Sequence, residues 1–177
     1  QRALLENYLK NIHGSTFEER IDYVGMFYAE GAGVIAQSED QSRTNRITQA
    51  ISYLVFYKTL TKVITNFNAS SAGFSFESFL SALVKGQQIQ TGNKTIADYT
   101  DNLTDQVIPV SLKLYREGGL EVGGSYTDLA NDLIDPKFDF DGMRYVICTK
   151  ELEGKDLEQE GHINFWQFDF TLDNVVD

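Results

Sequence analysis

Apolar residues recur at helical spacing through the first half of the chain. Leu4, Leu5, Tyr8, Leu9 and Ile12 predict a helix over residues 2–12, stopped by His13-Gly14. Ser15 or Thr16 is placed to cap a second helix running to about Glu30, with Glu18 and Glu19 in its first turn. Gly31-Ala32-Gly33 breaks the pattern. From Asp40 or Ser42 to about Asn66 a third helix follows, with Ile47, Ile51, Leu54, Val55, Leu60, Val63 and Ile64 along one stripe. A fourth is predicted over residues 73–84, entered through Ser70 or Ser71, with Lys85 in its last turn and Gly86 as its C-terminal cap.

The period then changes. Residues 95–100 and 107–115 are short, β-branched and apolar, and residues 102–105 between them read as the turn of a hairpin. Paired glycines at 118–119 and 123–124 bracket a turn or a short third strand. Residues 125–134 read as a capped helix ended by Asp135-Pro136, and residues 143–151 and 163–171 as two further strands. The order α-α-α-α-β-β-(β)-α-β-β predicts an α+β fold, with a helical region over residues 1–69 and an α/β core over residues 70–177, packed as one compact unit. In "INFWQFDF" aromatics alternate onto both faces, which predicts a strand buried on both sides or lying at an interface.

Charge sharpens this division. Residues 1–72 carry 7 basic and 7 acidic residues, whereas residues 73–177 carry 8 and 19, so the whole net charge of −11 lies in the second part. Nucleic-acid affinity draws on Lys and Arg that neutralise phosphates, and any DNA-directed reading must meet that shortage. No apolar run reaches the ~20 residues needed to cross a bilayer, so no membrane contact is expected. The single Cys148 excludes an intramolecular disulfide and a cysteine-rich zinc site, and reads as a buried structural thiol. No signal-peptide pattern is seen, and the expected location is the interior of a cell rather than the outside.

Three residues carry candidate chemistry: Glu77 on the fourth helix, Asp98 in "TIADY" and Lys113 in "VSLKLY". Phosphodiester hydrolysis needs a hard divalent cation held by oxygen ligands, an activated water, and a cation to offset developing charge. If the two extended runs pair as a hairpin, Asp98 and Lys113 reach one end of the sheet. Phe76, Phe79, Leu80 and Leu83 pack the helix so that Glu77 faces it. Both carboxylates are expected to share one metal, with Lys113 on the same side of the sheet.

In that order and spacing the segment from about Ser71 to Glu151 resembles the PD-(D/E)XK nuclease superfamily, with its restriction-endonuclease-like α-β-β-β-α-β core and mixed sheet. "GFSFESFLSALVKG" is similar to the family's first helix, and the helix of "GSYTDLANDL" with a later strand fits its order. The resemblance implies Glu77, Asp98 and Lys113 as catalytic residues. It implies Mg²⁺ or Mn²⁺ held by Glu77, Asp98 and the carbonyl of Leu112, with DNA as partner and Ser111, Ser125 and Arg116 toward the substrate. Lys85, Lys94, Arg43 and Arg46 are further candidates for the DNA backbone. The family's second acid, two residues before the lysine, is Ser111 here, and Ala97 stands where a proline precedes the Asp. The "AGF-FE-FL" style of the helix is also similar to proteins of marine T4-like phages. The resemblance therefore carries two readings. One is a metal-dependent DNA endonuclease, possible in the cytoplasm of an infected host. The other is a catalytically inactive nuclease-like scaffold serving as a virion structural or interaction protein, bound to other virion proteins or to itself.

Other chemistry is poorly represented. His13 and His162 are the only histidines and lack zinc-hydrolase spacing. "EGGLEVGGS" is glycine-rich but lacks the lysine of a phosphate loop. "GSYTDL" offers a helix N-terminus that serves equally as an anion site or an ordinary cap.

Overall fold

The structure, a computed structural model, describes residues 12–30, 76–89, 95–116, 126–134, 136, 142–153 and 160–175, with single positions between 3 and 9 and between 44 and 62. Predicted features on other residues, the paired glycines of 118–124 among them, lie outside the described residues. The elements run α1 (Phe17–Glu30), α2 (Phe76–Leu83), β1 (Tyr99–Asp101), β2 (Ile108–Arg116), α3 (Tyr126–Leu133), β3 (Gly142–Glu153), β4 (Glu160–Thr171) and α4 (Leu172–Val175). The described positions at 3, 6 and 9 and from 44 to 62 are all helical, in line with two further N-terminal helices. The fold is α+β, with helices preceding a four-stranded mixed sheet.

Strand order is β1-β2-β3-β4. β1 and β2 form the expected antiparallel hairpin, Tyr99 opposite Val110 and Asp101 opposite Ile108. β2 and β3 run parallel, Val110 opposite Arg144 through Arg116 opposite Lys150. A parallel pair needs a crossover, and α3 supplies it. β3 and β4 return antiparallel in an unbroken register from Gly142↔Thr171 to Glu153↔Glu160. Both strands extend beyond the hydrophobic runs that predict them, because the charged residues at their far ends still pair through main chain.

Alternation along the strands builds two cores. On one face Tyr99, Val110, Val146 and Cys148 pack with Phe76, Phe79, Leu80 and Leu83 of α2, and with Leu9, Ile12, Phe17 and Val24. Residues from the N-terminal helical region and from the α/β core thus share one cluster. Cys148 is fully buried there, and burial pushes its thiol pKa well up, as befits a structural cysteine. On the other face Met143, Tyr145, Ala97 and Leu133 form a smaller cluster, with Phe168 stacked on Tyr145 and Phe170 meeting it edge-on. The aromatics of β4 are accordingly divided between faces, and Trp166 remains 48% exposed.

Two local features differ from the sequence pattern. β1 begins at Tyr99, not at residue 95. Gly86 is not the residue in the left-handed region at the end of α2; Lys85 is, at φ 56°. The amide of Gly86 donates to the Ser81 carbonyl at 2.8 Å and that of Lys85 to Ala82 at 3.2 Å, the two bonds of a Schellman termination. Gly86 is demanded for another reason: a Cβ there would collide with the Thr100 carbonyl oxygen. Arg20, buried on α1, closes the same helix end by donating to the Leu83 carbonyl at 2.7 Å and to Gly14 at 2.9 Å.

Candidate functional site

The end of α2 delivers the chain directly onto the hairpin. Past Gly86, residues 87–89 lie antiparallel against β1: the Thr100 amide donates to the Gln87 carbonyl at 2.9 Å, and the Ile89 amide to the Asp98 carbonyl at 2.8 Å. Gln88 bridges to Tyr99. Its side chain turns back to α2, accepting from the Ser78 hydroxyl at 2.7 Å and donating Nε2 to Glu77 Oε1 at 2.8 Å. Glu77 is therefore brought to the hairpin, as expected, and a residue the sequence does not single out holds it there.

Asp98 explains why β1 starts late. Its amide donates to the Val110 carbonyl at 2.8 Å, although Tyr99 is the register partner of Val110, so the ladder departs from regular pairing at this point. Val110 and Leu112 present their main-chain groups to the same side of β2, toward β1. The Leu112 amide would ordinarily find a carbonyl of the facing strand. Instead it donates to Asp98 Oδ2 at 2.6 Å. A short polar side chain has taken over a ladder position. The Leu112 carbonyl, named above as a metal ligand, points to the same side of β2 as its amide, toward Asp98.

Lys113 follows in the same strand, and its charge acts on Asp98. Leu112 and Leu114 pack into the cluster of α1 and α2, so Lys113 alternates onto the opposite face, toward α3. This corrects the expectation that Lys113 and Glu77 share one side: the helix carrying Glu77 covers one face and Lys113 belongs to the other. Asp98, at the strand end, is the residue that senses both.

The electrostatics follow from this placement. Burial pushes the Asp98 carboxyl above the ordinary aspartate range, opposed by the Leu112 amide and by Lys113. Burial likewise raises Glu77, against the hydrogen bond from Gln88, and the charge of Asp98 adds to the rise. Tyr145 is raised by burial, then by Asp132 and Asp98, which places Asp98 within electrostatic reach of the second core.

Ser111, where the resemblance expects the second acid, is fully buried, and its hydroxyl has no hydrogen-bond partner. Among the described residues no three of His, Cys, Asp and Glu gather as a metal would require of side chains alone. The oxygen donors nearest this end of the hairpin are the carboxylates of Asp98 and Glu77, linked electrostatically, and the Leu112 carbonyl on the β1 side of β2. That set suits a hard cation that keeps part of its water shell.

Of the remaining candidates, only Lys85 is described through its side chain. Lys85 is exposed at the end of α2. Arg116 is the last residue of β2, and its side chain lies outside the described residues, as do Ser125, Lys94, Arg43 and Arg46. Buried acids that the sequence does not mark out stand close by. Asp132 of α3 accepts through Oδ2 from the Thr95 hydroxyl and the Ile96 amide, both at 2.7 Å. Asp101 pairs with Arg144 at 3.0 Å, and Arg144 also grips Asp169 at 2.9 Å.

Among the described residues no helix is long and apolar enough to cross a membrane. Comparison with known protein families, with curated proteins and with solved structures finds no match for this chain.

Proposed function

We propose that the chain is a divalent-metal-dependent phosphodiester hydrolase of the PD-(D/E)XK kind, acting on DNA through Glu77, Asp98 and Lys113. One observation supports the reading: Asp98, a half-buried carboxylate with raised proton affinity, feels the charge of Lys113 and itself raises Glu77. Paired carboxylates that burial disfavours in their charged form are the arrangement a bound cation relieves. Asp98 and Glu77 would hold Mg²⁺ or Mn²⁺, with the Leu112 carbonyl as a third oxygen. Such an ion polarises the phosphate and lowers the pKa of a bound water. Asp98 is fixed for this by the Leu112 amide and Glu77 by Gln88, so neither carboxylate has to be reoriented. Lys113, whose charge reaches Asp98 from the opposite face, would offset the negative charge gathered at that carboxylate.

A second reading has its own support. Ser111 is sealed in the interior where the family carries an acid, which favours a catalytically silent scaffold acting as a virion structural or interaction protein.

Cleavage of supercoiled plasmid with Mg²⁺ or Mn²⁺ tests the choice, comparing the protein with Asp98→Ala and Lys113→Ala. Metal-dependent cutting lost in both variants supports the enzyme. Absence of cutting by folded protein at either metal leaves the scaffold as the function.

A further inference from the structure

The outer edge of β4 is open over its middle and closed at its end. Asn174 of α4 closes it: its Oδ1 accepts from the Thr171 amide at 2.8 Å, and its Nδ2 donates to the Asp169 carbonyl at 3.0 Å. Those two bonds identify which residues of β4 aim their main chain away from β3. Strand residues alternate in this respect, and the β3–β4 register is unbroken. Ile163, Phe165 and Gln167 must therefore present their amides and carbonyls outward, and among the described residues no hydrogen bond is made to them. Asn174 satisfies the groups at Asp169 and Thr171 and leaves these three residues as a bare segment of edge.

Beside that segment lies a cleft of about 720 Å³. It is walled by Ile163 to Gln167 on one side and by the start of α1 on the other. Glu18 and Asp22, one turn apart on α1, both face it and are exposed. Like charges at this spacing repel. The macrodipole accounts for an acid at Glu18, in the first turn, but not for Asp22. Arg144 also lines the cleft, but its charge is taken up by Asp101 and Asp169. Phe165 adds an aromatic surface.

We propose that this edge receives an extended peptide as a fifth strand, with a lysine or arginine side chain of the peptide in the cleft between Glu18, Asp22 and Phe165, while Trp166 projects from the same strand onto the other face of the sheet. Main-chain bonds to Ile163, Phe165 and Gln167 supply affinity, and the acidic, aromatic cleft supplies selectivity. Charge decides against a second copy as occupant, since edge-to-edge pairing would bring together two copies of residues 73–177, each with 8 basic and 19 acidic residues, and set the Glu18 and Asp22 of each beside an acidic partner. The inference is independent of the hydrolase reading, because Glu77, Asp98 and Lys113 are not among the residues lining this cleft.

Trp166 is the only tryptophan and lies within the bare segment of β4, so its emission reports the addition of a strand there without a label. The probe is a short capped peptide alternating threonine and valine around one central arginine. Expected are a saturable change in Trp166 emission and slowed amide exchange at Ile163, Phe165 and Gln167. Affinity should fall about tenfold or more for Asp22→Asn combined with Glu18→Gln, for a peptide with glutamate in place of arginine, and for one N-methylated along its pairing edge. Gln167→Pro, which removes one outward donor and no bond to β3, should weaken binding as well. No saturable change overturns the proposal. So does binding indifferent to N-methylation, or to both charge changes. A concentration-dependent dimer abolished by Gln167→Pro would assign the edge to a second copy and overturn the peptide.

Discussion

Asp98 should behave unlike most carboxylates in folded proteins, and three forms of this position show it. Its carboxylate does two things with opposite consequences: it accepts the Leu112 amide, which stabilises, and it carries a desolvated charge, which destabilises. Asp98→Ala removes both and leaves a main-chain amide without a partner inside the sheet, at a cost of about 1–3 kcal/mol. At about 2–4 °C per kcal/mol for a chain of this size, the midpoint should fall by roughly 2–12 °C. Asp98→Asn keeps an acceptor oxygen and removes the charge, so at neutral pH it should match or exceed the parent. The sign of the pH dependence follows from linkage. The folded-state pKa lies above the unfolded value of about 3.9. Between the two values the native state holds the proton more firmly, so the contribution of this group falls as the pH rises through the folded-state pKa. Glu77 is raised too and acts in the same direction. Thermal unfolding followed by circular dichroism from about pH 4 to pH 8 should therefore show a parent that loses stability across the window, and an Asp98→Asn variant that loses less. If Asp98→Asn is as unstable as Asp98→Ala at neutral pH, the charge itself is favourable in the fold, and the reasoning fails.

The loop after α2 makes two opposite predictions about neighbouring residues. Gly86→Ala drives a Cβ into the Thr100 carbonyl and should cost about 3 kcal/mol, seen as a lowered denaturant midpoint. Lys85→Gly relieves a side chain held at φ 56° and should stabilise by about 0.5–1 kcal/mol in the same assay. Arg20→Met preserves packing volume but leaves the Leu83 and Gly14 carbonyls without their donor. A loss of about 2–4 kcal/mol is expected, with faster amide exchange at the end of α2.

Where the fold was legible in the sequence, one local rule was sufficient. The apolar stripe of "FESFLSAL" marks α2, the β-branched run after residue 107 marks β2, and a helical segment between β2 and β3 makes their parallel pairing the natural one. Where it was not legible, a side chain acts across a long sequence distance. Nothing around Thr95 announces that Asp132 will hold its hydroxyl and the next amide, so the strand propensity of 95–98 is spent outside the ladder. Nothing around Phe17 announces that Arg20 will close a helix more than sixty residues away. Gly86 misleads for a related reason. A glycine after a helix reads as its left-handed cap, but here it is kept by the approach of Thr100, which only the folded hairpin brings. Of the candidate site, the residue types and their order are legible in the sequence. The faces they occupy are not, because the departure of Asp98 from the ladder is a matter of register, and register is a property of the pair.

The buried acids of the sheet separate by how they are compensated, and that separation is the best guide to which one is there for chemistry. Asp101 has the Arg144 guanidinium at 3.0 Å, the Leu103 amide at 2.9 Å, and Arg20 within electrostatic reach. Asp132 has a hydroxyl and an amide on one oxygen. Each of these ties segments together, and its removal would loosen a join. Asp98 has one amide, plus a lysine that acts from the opposite face, and its charge disfavours ionisation of a second carboxylate, Glu77. A fold that needed only a strand terminator at this position would gain by using asparagine, which accepts the same hydrogen bond without the charge. An aspartate kept beside a glutamate, both disfavoured in their ionised forms, gains a reason when a cation arrives between them.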